Sequence, residues 1–125
     1  MLALSGIADP VKMFDEVISR GGAAGLSTFL GYFTLNAVRA AGHHEFALGL
    51  IRDYWGKMLE LGATTFWEDF DISWCDNAST ITEPVPDGMR DIHGDFGAYC
   101  YKGFRHSLCH GWSAGVVRFI AEECF

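Results

Sequence analysis

The sequence has no long hydrophobic run, and no segment approaches the ~20 consecutive apolar residues that span a bilayer. Basic residues are also scarce: nine Lys and Arg against sixteen Asp and Glu leave a net charge of −7. This balance disfavours nucleic acid and anionic membrane surfaces as partners, because both need a basic patch. The first residues, MLALSGIADPVK, lack a basic start and a long apolar run, so no signal peptide is predicted. Uncharged or sugar-like ligands remain open.

Cysteines are few, and their positions do not match a metal-binding knuckle. The four of them are far apart in the chain: Cys75, Cys100, Cys109 and Cys124. Such a low density also argues against a disulfide framework. The histidines nearest to Cys109 in the sequence do not have zinc-ligand spacing either: His93, His106 and His110. We therefore predict free, mostly buried thiols, which slightly favours the cytoplasm, and we expect neither a metal nor an organic cofactor.

What the sequence has in abundance is apolar residues with helical periodicity. Half of the 125 residues are hydrophobic, which is typical of one globular domain. Asp9 and Pro10 are typical of a helix start, and the first helix is predicted over residues 10–20. A second helix is predicted over residues 27–41, and a third follows almost at once and ends at Gly62. The short connection predicts an antiparallel helical hairpin and an all-α fold.

Residues 63–97 interrupt the helical pattern. They hold eight of the sixteen acidic residues but only one basic residue, Arg90. A long loop in a compact chain is usually functional or disordered, and aromatic residues at both ends favour an ordered one. After it, the stretch FGAYCYKGFRHSLCHGW is apolar and aromatic, and Ser107 is predicted to cap a new helix that carries His110.

The beginning of this loop, GATTFWEDFDISW, places three carboxylates among aromatic rings with no basic neighbour: Glu68, Asp69 and Asp71. Asp69 and Asp71 either assist Glu68 or, in the interpretation that we favour, are solvent-facing loop acids. Two interpretations of Glu68 stand side by side. It is either a solvated surface charge, or a carboxyl group whose apolar neighbours tune it for proton transfer. A pair of carboxylates is typical of glycoside hydrolysis, but spacing along a loop does not establish spacing in space.

The remaining candidates are a histidine and the tryptophans. His110 is either a satisfied core histidine or a ligand contact near a helix start. Cys109 beside it does not form a nucleophile and base pair with it, because neighbours on a helix point about 100° apart. Trp55 lies on the apolar stripe of the third helix and is assigned to the core. Trp67 and Trp112 each adjoin a polar candidate, so they are the better candidates for stacking on a sugar.

Two stretches of the chain resemble the bacterial α-L-rhamnosidases. The first, YWGKMLELGATTFWEDF (Tyr54–Phe70), contains the word T-T-x-W-E, and the second, DIHGDFGAYCYKGFRHSLCHGWSAG (Asp91–Gly115), contains S-L-C-H-G-W. The lead-in GLSTFLGYFTLNAVRAAGHHEFALGLIRDYW is also similar to helices of that family, and the resemblance covers roughly residues 1–115. It implies an (α/α)6 barrel of the six-hairpin glycosidase type and inverting hydrolysis of terminal α-L-rhamnose.

The resemblance also implies roles for individual residues. Glu68 matches the family's general base, which draws a proton from the attacking water. His110 matches the histidine that contacts the bound rhamnose. Trp67 is expected to shape the same pocket, and Trp112 is a further candidate contact with the sugar.

The chain departs from the family in two places. The family's general acid, a glutamate in the earlier half of the barrel, has no counterpart here, and Val116-Val117-Arg118 leaves the family pattern. Residues 1–125 therefore resemble one partial domain, the last helices of a catalytic barrel, which is inactive alone. We expect exposed apolar faces that self-associate or bind a complementary piece. The alternative function is a non-catalytic helical module that binds carbohydrate or a partner chain.

Overall fold

A computed structural model describes residues 1–96 and 106–124 of the chain. These residues are 54% helical and contain no strand, which confirms the all-α class. We number the helices α1 (residues 10–21), α2 (Gly31–Ala40), α3 (His44–Glu60) and α4 (Gly115–Cys124). None of the helices in the described residues is long and apolar enough to cross a membrane.

Helix α1 forms where it was predicted, but it is not a regular α-helix throughout. It runs as α-helix over Pro10–Met13, π-helix over Phe14–Ile18 and α-helix again over Ser19–Gly21. The Asp9 carboxylate caps its start by accepting hydrogen bonds from two backbone N–H groups of the first turn, at 2.8 and 3.2 Å. Within the π-helical turn the Phe14 side chain is buried. The sequence did not predict the π-helical turn.

Helices α2 and α3 form the predicted hairpin, and each ends at a glycine in the left-handed region. Gly42 has φ +85° and Gly62 has φ +95°, conformations that other residues rarely adopt. At each end the glycine and the residue after it donate their N–H groups back to the last turn of the helix, as in a Schellman motif. The start of α2 differs from the prediction, because residues 27–30 form a separate turn in which the Ser27 hydroxyl accepts from the Leu30 N–H at 3.2 Å.

Helix α4 packs against α2. Arg39 of α2 joins the two helices, with Nη1 at 3.1 Å from Glu122 and 3.2 Å from Glu123. The Arg39 guanidinium also lies 5.3 Å from the centre of the buried Phe119 ring. These contacts bring the end of the chain beside the hairpin.

The connecting segment, residues 63–96, folds back onto the end of α3. The Ile81 N–H donates to the Leu61 carbonyl at 2.9 Å, and the backbone of Arg90 pairs with that of residues 77 and 79 at 3.0 Å. The Trp74 ring stacks on Phe96 with a 4.6 Å centroid separation. The aromatic residues at both ends of the segment thus hold it in place, as their positions in the sequence predicted.

The core lies where α2, α3 and the beginning of the connecting segment meet. Its largest fully buried side chains come from all three parts and from α4: Trp67, Tyr54, Phe70, Phe119, Leu35 and Met58. Trp55 is also buried, which confirms its assignment to the core. The Tyr54 hydroxyl donates to the Phe70 carbonyl at 2.5 Å and so ties the connecting segment to α3.

The predicted helix starting at Ser107 is wrong. Residues 106–110 are not helical, and a 3₁₀ turn over Gly111–Ala114 begins only after His110. The Ser107 hydroxyl bonds to Cys109 instead of capping a helix: it donates to the carbonyl and accepts from the N–H. Residues 97–105 of that stretch, including Cys100, lie outside the described residues. Cys75 and Cys109 are free thiols, but Cys75 is half-buried and Cys109 is exposed, so the prediction that the thiols are mostly buried is wrong for both of them.

Candidate functional site

Two short segments that are distant in sequence lie side by side and form the frame of the candidate site. We call residues 65–68 and 107–110 the paired segments. The Glu68 N–H donates to the Ser107 carbonyl and the His110 N–H donates to the Phe66 carbonyl, both at 2.8 Å. The Thr65 hydroxyl adds a third bond, to the Leu108 carbonyl at 2.5 Å. The two sequence words that carry the resemblance are therefore in direct contact.

Glu68 is held at both its backbone and its side chain. Its side chain is buried, with the residue only 6% exposed, and Oε2 accepts from the Ser107 N–H at 2.8 Å. Its carbonyl accepts from the Thr28 hydroxyl at 2.6 Å and from the Trp112 indole N–H at 2.7 Å. The Ser107 N–H therefore orients the carboxylate, while Thr28 and Trp112 hold the backbone of Glu68 in place.

His110 is half-buried and stands at the beginning of the 3₁₀ turn. Its Nδ1 accepts a hydrogen bond from the backbone N–H of Trp112 at 3.4 Å. In the neutral ring the proton is therefore on Nε2. Its ring lies 4.2 Å from that of Trp112 at an angle of 39°. Since the Trp112 indole bonds to the Glu68 carbonyl, one tryptophan links both candidate residues, and they lie on the same side of the molecule.

The tryptophans differ from each other in accessibility. Trp112 is 41% exposed and remains available to a ligand, whereas Trp67 has no exposed surface. The Trp67 ring packs against Phe70 at 5.8 Å, and its backbone N–H meets the Met58 sulfur at 3.5 Å. In this structure Trp67 therefore supports the site from below, which differs from its expected role as a ligand contact because the side chain belongs to the core.

The two acidic neighbours of Glu68 also differ. Asp69 is buried, at 9% exposure, so the expectation that it faces solvent is wrong. Asp71 is exposed and caps the 3₁₀ turn Ile72–Asp76 by accepting from Ser73 N–H at 2.8 Å. Of the three carboxylates, that of Asp71 faces solvent, while Glu68 and Asp69 are buried. The two are buried because the neighbouring Trp67 and Phe70 rings pack in the core.

A groove of about 320 Å³ opens beside His110. It is lined by both paired segments and the turn that follows them: Thr64, Thr65, Phe66, Cys109, His110, Gly111 and Ala114. The exposed surface of this groove is mainly apolar, and its polar side chains include the Thr64 hydroxyl, the Cys109 thiol and the His110 imidazole. Such a mixture of apolar surface and a few polar groups is typical of small-ligand sites. Glu68 belongs to the paired segments but does not line this groove, because its side chain is buried. A second groove of about 320 Å³, between α1 and α3, contains none of the candidate residues.

His106 is a buried polar residue, and its burial was not predicted from the sequence. It is 1% exposed, and its Nδ1 donates to the Phe96 carbonyl at 3.3 Å, while Nε2 has no hydrogen-bond partner among the described residues. Burial lowers the pKa of His106, since the charged imidazolium would lose its hydration. Its surroundings are aromatic, with the Trp74 ring at 5.7 Å. No local signal distinguishes it from an exposed histidine, because its neighbours come from distant parts of the chain.

Within residues 1–96 and 106–124, no group of three or more His, Cys, Asp or Glu side chains is arranged to hold a metal ion. Comparison of the chain with protein-family models, curated proteins and solved structures found no match. The support for the candidate site therefore comes from its geometry and from the sequence motifs of its two segments.

Proposed function

We propose that this chain supplies the general-base half of a site that hydrolyses terminal α-L-rhamnose from rhamnosides with inversion. The observation that carries the proposal is the pairing of residues 65–68 with residues 107–110. This pairing brings together the motifs T-T-x-W-E and S-L-C-H-G-W, which resemble those of the α-L-rhamnosidases and are about 40 residues apart in the sequence. The wider proposal is that the helices belong to a six-hairpin (α/α)6 barrel.

In the proposed mechanism Glu68 accepts a proton from the water that attacks the anomeric carbon. The Ser107 N–H holds one carboxylate oxygen at 2.8 Å and so fixes the direction from which the base approaches the water. The His110 imidazole, with its proton on Nε2, donates a hydrogen bond to a hydroxyl of the sugar. Inversion also needs a general acid about 6.5–9.5 Å from the base, which the resemblance assigns to an earlier part of such a barrel.

One observation favours the second candidate, a non-catalytic binding module. The Glu68 side chain is buried and accepts a backbone N–H, as a carboxylate does when it only holds two segments together. In that case the groove beside His110 binds a carbohydrate or a partner chain, and Glu68 maintains the groove's shape. The two candidates differ in whether Glu68 is needed for turnover or only for folding.

The deciding experiment is an assay with 4-nitrophenyl α-L-rhamnoside. The chain is co-expressed with the N-terminal half of an α-L-rhamnosidase barrel, which carries the family's general acid. Loss of a general base lowers turnover by roughly 100- to 10,000-fold, so Glu68→Gln should lower it to that extent. The glutamine oxygen still accepts the Ser107 N–H, so the fold is retained. Proton NMR of the first product should show the β anomer.

The matched control is Asp71→Asn, which neutralises an exposed carboxylate in the same segment. It should leave turnover unchanged. If Glu68→Gln and Asp71→Asn turn over the substrate equally well, Glu68 is not the base. Binding of L-rhamnose without turnover in any of the combinations supports the binding module instead.

A further inference from the structure

The groove between α1 and α3 is separate from the candidate site, and its exposed surface is mainly apolar. It encloses about 320 Å³, which lies within the range of small-ligand sites. Gly22 and Ala23 line it from the turn after α1, whereas Gly49 and Leu50 line it from α3. A Cβ added at Gly49 would meet no atom within 4 Å, so the groove is open at this point. An aliphatic chain can therefore lie in the groove against small residues.

Two carboxylates border this apolar surface, and both belong to α3. Glu45 and Asp53 line the groove, and both residues are exposed. They are eight positions apart on one helix, which corresponds to about 12 Å along its axis. Gly49 lies midway between them in the sequence. The apolar part of the groove on α3 therefore lies between two negative groups.

The basic residues nearby do not balance these two charges. Among the described residues, neither carboxylate forms an ion pair. Lys57, one turn after Asp53, bonds to Glu60 at 2.5 Å and interacts with Asp53 only at a distance. Arg20 and Arg52 adjoin lining residues in the sequence but do not line the groove themselves. A cationic ligand can therefore balance both carboxylates.

The separation of the carboxylates selects the kind of cation. A metal ion does not fit, because its ligands lie within about 2.6 Å of it and groups about 12 Å apart cannot bind one ion. A single ammonium group balances only one carboxylate. A chain of methylene groups with an ammonium at each end balances both and covers the apolar surface between them.

We infer that the groove between α1 and α3 binds a linear aliphatic diamine that is protonated at both nitrogens. A chain of about eight methylene groups, when extended, matches the separation of about 12 Å between the carboxylates. This inference is independent of the proposed function, because none of the candidate residues lines this groove.

The test is a calorimetric titration of the 125-residue chain with three amines at low ionic strength. 1,8-Diaminooctane should bind most tightly. 1-Aminooctane lacks one charge and should bind roughly 1.5-fold to fivefold more weakly, which is the affinity that one exposed ion pair contributes. 1,4-Diaminobutane is too short to reach both carboxylates and should also bind more weakly than 1,8-diaminooctane. Added salt should reduce the advantage of 1,8-diaminooctane over 1-aminooctane, since exposed charges are screened.

Three variants and a control locate the binding. Glu45→Gln and Asp53→Asn should each remove the advantage of 1,8-diaminooctane over 1-aminooctane. The control Asp15→Asn neutralises an exposed carboxylate of α1 that does not line the groove, so it should retain this advantage. Gly49→Leu fills the groove from α3 with no overlap at its Cβ, so it should weaken the binding of all three amines while the circular dichroism spectrum is unchanged.

Four results would overturn the inference. The first is that 1,8-diaminooctane binds no more tightly than 1-aminooctane, and the second is that its advantage persists in Glu45→Gln and Asp53→Asn. The third is an equal loss in Asp15→Asn, because net charge alone would then explain the binding. The fourth is a wild-type chain that sediments as a dimer while Gly49→Leu is monomeric, because the groove would then be a contact between copies.

Discussion

Replacing Gly115 by alanine tests the contact on which the position of the last helix depends. Gly115 is the first residue of α4 and faces α2. A Cβ at this position would lie 2.7 Å from the Tyr32 Cβ and 3.0 Å from its Cγ. The Tyr32 Cβ is bonded directly to the backbone of α2, so rotation of the tyrosine side chain cannot relieve the overlap with this atom. The two helices must move apart.

The expected loss of stability follows from two opposing terms. Overpacking of this kind costs about 1–3 kcal/mol, while replacing a helical glycine by alanine gains about 0.5–1 kcal/mol. The difference between the two ranges is a net loss of about 1 kcal/mol at its midpoint, which for a chain of this length lowers the melting temperature by roughly 3–5 °C. Gly49→Ala, in the middle of α3, is the matched control because nothing lies within 4 Å of its added Cβ. It should raise the melting temperature by roughly 2–4 °C.

Thermal unfolding followed by circular dichroism at a helical wavelength measures both variants under identical conditions. The reasoning is refuted if Gly115→Ala melts at or above the wild-type temperature while Gly49→Ala behaves as expected. That result would mean that α4 does not pack closely on α2, and the turn that carries Trp112 would then lose its support.

Three further results are expected. Asp9→Ala should lower the free energy of unfolding by about 1 kcal/mol in urea titrations, with Asp9→Ser close to wild type, because only the alanine removes the cap of α1. Burial holds the pKa of His106 in the folded chain below its ordinary 6.5. As the pH falls through 6.5, the unfolded chain therefore takes up this proton before the folded chain does. The free energy of unfolding is highest above that pH and falls as the pH drops below it. Urea midpoints of His106→Asn should therefore change less than wild type between neutral pH and pH 5, and an equal slope in both proteins would contradict this. The exposed Leu2 and Ile7 near the N-terminus should drive self-association in sedimentation experiments, and Leu2→Lys with Ile7→Lys should reduce it; wild-type chains that stay monomeric at high concentration would disprove the role of this face.

The helical hairpin could be predicted from the sequence because its signals are local. Periodic apolar residues define α2 and α3, and the glycines at 42 and 62 end them by adopting a conformation that few other residues allow. Asp9 and Pro10 likewise identify the beginning of α1 without any knowledge of the rest of the chain. The motifs around Glu68 and His110 also led to two residues that the structure brings to one side of the molecule.

The features that the sequence did not predict depend on contacts between distant residues. Asp69 and Trp67 are buried because the chain beyond α3 folds into the core, which no nearby residue signals. Ser107 does not start a helix because its N–H and carbonyl are both bonded to Glu68. The burial of His106 likewise arises from its contact with the Trp74 ring and its hydrogen bond to Phe96. Long-range pairing overrides local propensity at each of these positions.

The most direct measurement is a titration of the ¹⁵N-labelled chain with L-rhamnose, followed by the chemical shifts of the backbone amides and of the His110 ring. If Glu68 and His110 share one sugar site, saturable shifts will appear at His110, Thr65 and Ser107, D-glucose will not reproduce them, and Glu68→Gln will alter them. If rhamnose shifts none of these resonances, or shifts only those of the groove between α1 and α3, the account of the site is contradicted.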